Sequence, residues 1–240
     1  MTQPPAFSLI IGAYKEAENL VTLLPQLEQT CTKLLLPFEI LVVDTNPSQD
    51  DTARVCADFP HVKYLQREGD NSYGAMVRTG IAAARGTRII FMDADSSHNP
   101  CYLPSMLELA ERYDIVIGSR YAPGGTTENS LLSRLQSKLC NYAYRLVLGL
   151  QLTDVSNSFR CYRAEQLKSL QLTGKNYEII EEMLVRLQVA YPDLRVTELA
   201  IHFQKRQKGK SRRRTLPFIA GLVGMMFYLW HLQRSARKGR

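Results

Sequence analysis

The sequence predicts an α/β fold, a mostly parallel central sheet with helices on both faces. Three observations carry that expectation. Short, largely apolar runs recur at Phe7–Ile11, Phe38–Val43, Ile89–Met92 and Ile115–Ile117. The stretches between them repeat their apolar residues at helical steps, and strands alternating with helices build parallel sheets. The runs also end on chemistry-bearing side chains, at Asp44, at Asp93 and Asp95, and at Arg120. Parallel sheets bind their ligands at those carboxyl ends.

The first strand stops at Gly12, and the polar loop Ala13–Asn19 leads into a helix marked by Leu20, Leu23, Leu24, Leu27 and Cys31. Pro37 closes that helix because it has no N–H to donate. Phe38–Val43 is the second strand, ended by Asp44, and the turn-rich Asn46–Asp51 starts a helix near Asp51. Val62–Leu65 is a weaker third strand. The loop Glu68–Gly74 opens a small-residue helix that runs to Ala84 and ends at Arg85-Gly86. The central strand, Ile89–Met92, is apolar throughout, the pattern of a strand covered on both faces. Tyr102–Tyr113 reads as a helix and Asp114–Arg120 as a further buried strand with a polar exit. Beyond the Gly-rich loop Gly124–Ser130, a long helix over Leu132–Leu148 carries Arg134, Lys138 and Arg145. Asp154–Arg163 is a mixed polar and aromatic segment, Glu178–Ala190 a helix that opens on acids, and Val196–Phe203 a last strand. Neither an internal repeat nor a low-complexity tract precedes the tail.

Length bounds the chain to one large domain, or one domain with a tail, at 240 residues. Charge divides it. Of the 30 Lys and Arg, 11 lie from Lys205 onward, where there is no Asp or Glu; residues 1–204 hold 19 against all 23 acids. A mildly acidic domain thus carries a strongly basic tail, which points to an anionic partner, either phospholipid or nucleic acid. No basic and aromatic platform interrupts the acidic part, so no nucleic-acid partner is expected. In the tail, the basic run Lys205–Arg214 precedes Leu216–Leu232, whose one ionisable group is His231. That segment lies at the lower edge of a membrane-spanning length, about 17–25 residues. With both flanks basic, it is expected to lie in or along the membrane interface, its Lys and Arg on anionic lipids. A full span is the close alternative, and a helix buried in the core is the third. Cys31, Cys56, Cys101, Cys140 and Cys161 are scattered and never form a C-x-x-C pair, which argues against a zinc cage or a disulfide frame and suits a reducing compartment. No charged-then-apolar start marks a signal peptide.

Asp93 and Asp95, one residue apart at a strand end, repel each other and lose solvation. A divalent cation removes that cost, and strand-end carboxylates commonly share Mg²⁺ or Mn²⁺ with substrate phosphates. An acidic turn broken at Asn99-Pro100 would show the same letters; the presence of Asp44 and Arg120 at other strand ends favours the metal.

Seven stretches then stand in order: IIGAYKEAENL (Ile10–Leu20), LVVDTNPSQDDT (Leu41–Thr52), FMDADSSHNP (Phe91–Pro100), DIVIGSRYAPGG (Asp114–Gly125), NSFRCYR (Asn157–Arg163), YEIIEEML (Tyr177–Leu184) and IHFQKRQKGKSR (Ile201–Arg212). Together they resemble the family 2 glycosyltransferases, specifically the dolichyl/polyprenyl-phosphate mannose synthase branch. The resemblance implies a GT-A fold over residues 1–204, with a nucleotide- and metal-binding half (1–125) and an acceptor-binding half (126–204). Residues 205–240 would form a basic loop and a C-terminal membrane-associating helix. It implies Mg²⁺ or Mn²⁺ as cofactor and a nucleotide-diphospho-sugar donor, most often GDP-mannose. The acceptor would be a membrane polyprenyl or dolichyl phosphate, and the sugar would be transferred with inversion.

The resemblance also assigns roles. Asp93, Ala94 and Asp95 would lie between nucleotide and metal, Asp95 as the more direct ligand and Ser97 as a weaker third. Ala13, Tyr14, Glu16, Asp44, Asp70 and Gly74 would line the nucleotide, and Arg206, Lys210 and Arg212 would close on the diphosphate. An acceptor phosphate is already anionic near neutral pH, with a second pKa of about 6, so it needs positioning and neutralisation more than a base. Arginine suits that task, and Arg120 and Arg134 match the family's acceptor-phosphate positions, with Ser137 and Lys138 close by. The catalytic set is therefore Asp93, Asp95, Arg120 and Arg134. Asn157 and Ser158 would lie beside acceptor and donor sugar, with Asp154 against the sugar, and His98 is expected to support the site by packing. The implied enzyme is membrane-associated, its catalytic domain facing the cytoplasm; a homo-oligomer or a separate membrane subunit stays open. Two other readings remain: the same fold using UDP-glucose or UDP-N-acetylglucosamine, and a non-enzymatic adaptor that holds lipid or nucleic acid through its basic tail.

Overall fold

The computed structural model describes residues 4–206, 208 and 215–238. In chain order the elements are β1 (Phe7–Gly12), α1 (Ala17–Lys33), β2 (Phe38–Asp44), α2 (Thr52–Ala57), β3 (Val62–Gln66), α3 (Tyr73–Ala83) and β4 (Arg88–Asp93). A single 3₁₀ turn at Pro100–Tyr102 precedes α4 (Leu103–Arg112), β5 (Ile115–Ser119), β6 (Thr126–Thr127) and α5 (Leu131–Leu148). Then come β7 (Arg160–Arg163), α6 (Ala164–Lys168), α7 (Ile179–Ala190), β8 (Val196–Ala200), β9 (His202–Phe203) and α8 (Thr215–Lys238).

Seven strands form one sheet in the order β3-β2-β1-β4-β7-β5-β8. Side chains alternate across it. Ile10, Leu41, Val43, Ile89, Phe91, Ile115 and Ile117 face one core, with α3, α5 and α7 over them. Leu9, Ile11, Ile40, Val42, Ile90, Met92 and Val116 face the other, under α1, α2 and α4. Both faces are apolar because both are covered, as the unbroken strands required.

Two expectations are corrected. The mixed segment before Arg163 contains β7, antiparallel to both β4 and β5, in the middle of an otherwise parallel sheet. Its polar letters hide it: Arg160 is wholly buried, donating to the main-chain carbonyls of Asn157 at 2.7 Å, Ile180 at 3.1 Å and Val155. The last strand also divides. β8 extends the large sheet beside β5, while β9 pairs with β6 in a separate two-stranded sheet.

The tail forms a helix, and one side of its described part packs against the domain, while Phe227 and Tyr228 are exposed. Leu229 is fully buried, with Met225, Met226, Trp230 and Leu232 half-buried around it. Gln233 donates to the Leu148 carbonyl at 3.3 Å and Arg186 to the Tyr228 hydroxyl at 2.7 Å. Among the described residues no helix is long and apolar enough to cross a membrane, so the full span considered for Leu216–Leu232 is not found.

Candidate active site

The sheet's parallel strands end along one edge, and β7, running the other way, begins there. Register puts Gly12 beside both Val43 and Asp93, and Phe91 beside Arg160. Chain order reverses at β1, with β2 on one side and β4 on the other, the switch point where such sheets open a crevice.

Asp93 is the last residue of β4, and Ser158 donates to its Oδ1 at 3.0 Å. Burial and the neighbouring Asp95 carboxylate push its carboxyl above the ordinary range, against the Ser158 hydrogen bond. After Asp95 the chain turns sharply, with Ser96 at a positive φ of 64°, which lets the Ser97 N–H reach back to Asp95 Oδ1 at 3.0 Å. The Ser97 hydroxyl is buried and has no partner among the described residues.

His98 explains how the acidic turn is held. The Asp93 main-chain N–H donates to His98 Nδ1 at 3.1 Å, so the ring proton sits on Nε2, which meets Asn157 Oδ1 at 3.1 Å. Asn157 in turn donates to the Gly118 carbonyl on β5. The ring stacks on Phe159 with centroids 4.9 Å apart and meets the edge of Phe203 at 5.3 Å. His98 thus supports the site as expected. Asn157, expected beside the acceptor, is buried and ties β4 to β5.

On the expected nucleotide side, Arg206 inserts its guanidinium between two acids, reaching Asp95 Oδ2 at 2.9 Å and Glu16 Oε1 at 3.1 Å. Burial raises the Glu16 carboxyl despite hydrogen bonds from Asn19 and Arg206. Asp44 sits at its strand end, but its oxygens already accept from the Thr45 N–H at 2.7 Å, Ser48 at 2.6 Å and Tyr64 at 3.1 Å. It organises its own turn. Arg67, which no motif marks, joins two loops by donating to the carbonyls of Ala13 at 2.8 Å and Asn71 at 2.6 Å. Asp70 is exposed and accepts from the Ser72 N–H at 2.9 Å. Gly74 is a close-approach glycine: its N–H donates to Lys175 O at 2.7 Å, and a Cβ there would lie 2.0 Å from Gly174 O. Tyr14 is half-buried, and Ala13 and Ala94 are buried. Lys210 and Arg212 lie outside the described residues.

On the acceptor side, Arg120 is held in a fork by Asp154, Nε to Oδ2 and NH2 to Oδ1, both at 2.7 Å. The same NH2 reaches Ser156 at 3.0 Å and Ser137 at 3.2 Å. Burial opposes both charges, but the pairing prevails and leaves Asp154 below and Arg120 above their usual ranges. Asp154 is therefore spent on Arg120 and is not a free sugar ligand. Among the described residues neither Arg134 nor Lys138 has an ion-pair partner; the Lys138 ammonium lies 5.6 Å from the Tyr121 ring centre. Positive charge without a carboxylate partner comes from α5.

Among the described residues no cluster of three or more His, Cys, Asp or Glu could cage a metal. Two adjacent carboxylates and an unpartnered buried hydroxyl suit a hard cation that completes its shell with phosphate oxygens and water.

Comparison with known proteins agrees with this layout. The profile of Glycosyl transferase family 2 matches residues 8–171. The undecaprenyl-phosphate mannosyltransferase of Micrococcus luteus is 34% identical over 226 residues, 90% of this chain and 88% of that one. The polyprenol monophosphomannose synthase of Mycolicibacterium smegmatis is 32% identical over 217 residues, 85% of this chain and 79% of that one. Among solved structures, glucosyl-3-phosphoglycerate synthase from Mycobacterium tuberculosis, in complex with Mn²⁺, UDP and phosphoglyceric acid, superposes with a TM-score of 0.71 at 16% identity, covering 94% of this chain and 78% of that one. The last likeness is one of fold, the GT-A architecture; the matched profile and the two mannosyltransferases decide the family. The chain belongs to glycosyltransferase family 2 and, within it, to the branch of the polyprenyl-phosphate mannose synthases.

Proposed function

We propose that the protein is a metal-dependent, inverting mannosyltransferase that moves mannose from GDP-mannose to the phosphate of a polyprenyl or dolichyl phosphate. It works at a membrane surface from the cytoplasmic side. One observation carries the reading: Ser156 contacts Arg120 and, two residues on, Ser158 contacts Asp93. A single short segment therefore joins an acidic pair suited to a diphosphate-bound cation to an arginine and serine cluster suited to a second phosphate. The two mannosyltransferase relatives support the sugar and the lipid acceptor.

An acceptor phosphate oxygen attacks the anomeric carbon as the bond from that carbon to the donor's diphosphate breaks, and the nucleoside diphosphate leaves. Mg²⁺ or Mn²⁺, when bound, neutralises the charge gathering on that diphosphate. Asp93, Asp95 and Ser97 would hold the ion. Arg206 already sits at the Asp95 carboxylate and would turn to the diphosphate, with Lys210 and Arg212 following it in sequence. Arg134 and Lys138 neutralise the acceptor phosphate, while Arg120, fixed by Asp154, positions Ser137 and Ser156 beside it. No general base is required, because the nucleophile is ionised near neutral pH.

The test is transfer from labelled GDP-mannose to a polyprenyl phosphate, with and without Mn²⁺, against a panel of GDP- and UDP-sugars. Asp95→Ala should lower turnover about 10²–10³-fold, the scale of losing one strong electrostatic stabiliser. Full activity in that variant would remove the metal assignment. Arg134→Ala should raise the acceptor KM far more than the donor KM; equal effects would count against its role.

A further inference from the structure

β6 and β9 are two residues each, and they stand between the two halves of the site. Thr126 pairs with His202 and Thr127 with Phe203. The Phe203 ring meets His98, which holds the acidic turn, at 5.3 Å between ring centres. On the acceptor side, the Arg120 guanidinium lies 5.4 Å from the centre of the same ring.

The chain leaving β9 is fixed through its main chain. The Gln204 N–H donates to the Ser97 carbonyl at 3.0 Å. The next N–H, that of Lys205, donates to Glu128 Oε2 at 2.8 Å. Arg206 follows at once, its guanidinium on Asp95 and Glu16. Glu128 is in turn held from two directions. Its own N–H donates to the Phe203 carbonyl at 3.0 Å, and its Oε1 meets His202 Nε2 at 3.0 Å. His202 Nδ1 meets the Thr126 hydroxyl at 2.7 Å. A ring with its proton on Nε2 serves both contacts, donating to Glu128 and accepting from Thr126.

An exposed pair of Glu128 and His202 alone would contribute little. The second carboxylate oxygen is what matters, because it rests on the main chain immediately before Arg206. A bond from N–H to an ionised acceptor is stronger than one to a neutral carbonyl. Without that anchor, an arginine past the end of a short strand would have to be ordered by the nucleotide itself, at a cost to affinity.

We infer that Glu128 is a positioning residue for Arg206: it fixes the Lys205 main chain so that the guanidinium is already ordered at the diphosphate site. The inference takes the diphosphate role of Arg206 from the proposed function and adds the residue that sets it. Glu128 also stands two residues ahead of Ser130, whose side chain caps α5. The donor clamp and the start of the acceptor helix are therefore tied to one short strap.

The affinity of the full chain for GDP in the presence of Mn²⁺ is measured by titration calorimetry. The proteins are the wild type, Glu128→Ala, Glu128→Gln, Arg206→Ala and the double variant Glu128→Ala/Arg206→Ala. The Glu128 side chain is 48% exposed, so its substitution leaves both cores intact. Glu128→Ala should weaken GDP binding about fivefold, the scale of one charge-assisted hydrogen bond in a half-exposed place. Glu128→Gln keeps an oxygen for the Lys205 N–H and should stay within about twofold of the wild type. On the Arg206→Ala background, Glu128→Ala should cost nothing further, because the residue it positions is gone. In turnover, Glu128→Ala should raise the donor KM and leave the acceptor KM unchanged. Wild-type GDP affinity in Glu128→Ala would overturn the inference, as would additive losses in the double variant or a Gln variant as weak as the Ala variant. A wild type that binds UDP and not GDP would count against the proposed donor, and the same cycle run with UDP would then judge Glu128 alone. Full affinity in Arg206→Ala, or binding of neither nucleotide by the wild type, would overturn this inference together with that part of the proposed function.

Discussion

The ion pair between Arg120 and Asp154 shows how one residue's surroundings decide its task. Strand-end position marked Arg120 as functional, and it does lie at the site. The buried acid opposite it could not be anticipated, because Asp154 lies 34 residues away and the two meet only in the folded sheet. Breaking a buried pair leaves a bare charge, so Asp154→Asn should destabilise the protein by about 3–5 kcal/mol in urea unfolding at pH 7. The sign with pH follows from the lowered Asp154 carboxyl. Its contribution is complete above the ordinary aspartate value of 3.8 and fades only as pH falls below that and through the lowered value. The gap between variant and wild type should therefore close in strong acid. Asp93 and Asp95 were legible because strand-end carboxylates follow local sequence rules. The link from Asp93 through His98 to Asn157 was not, since its proton placement depends on which main-chain N–H the ring meets.

At the level of elements, β1 to β5 and the helices between them follow from periodicity, because each buries a face that its own sequence supplies. β7 escaped for the opposite reason: its burial depends on carbonyls from other segments that satisfy Arg160. Sequence periodicity also cannot say which side of a helix meets the domain: α5 turns Tyr144 and Leu148 into the core and leaves Leu132, Leu135, Leu139 and Leu146 exposed. α8 makes the complementary point. Its apolar composition suggested a membrane element, yet Leu229 is buried against the helical layer of the domain. Leu229→Ala should cost about 2–5 kcal/mol, the range for emptying a packed leucine site. An unchanged denaturation midpoint would mean that α8 is not part of the folded core.

At the level of the molecule, the nucleotide and acceptor halves share one sheet. β4 and β5, both from the first half, do not pair with each other in it; β7, from the second half, lies between them, and β8 closes the edge beside β5. A fragment ending at residue 125 should therefore show no cooperative melt, whereas the whole chain should unfold in a single transition. The same insertion bears on synthesis. While the chain emerges from a ribosome, β4 and β5 are finished well before their shared neighbour exists, and each presents an open row of amides and carbonyls in the interval. The nascent protein thus carries a slot at its centre until residue 163 is free, a period in which a chaperone or a passing strand has something to hold.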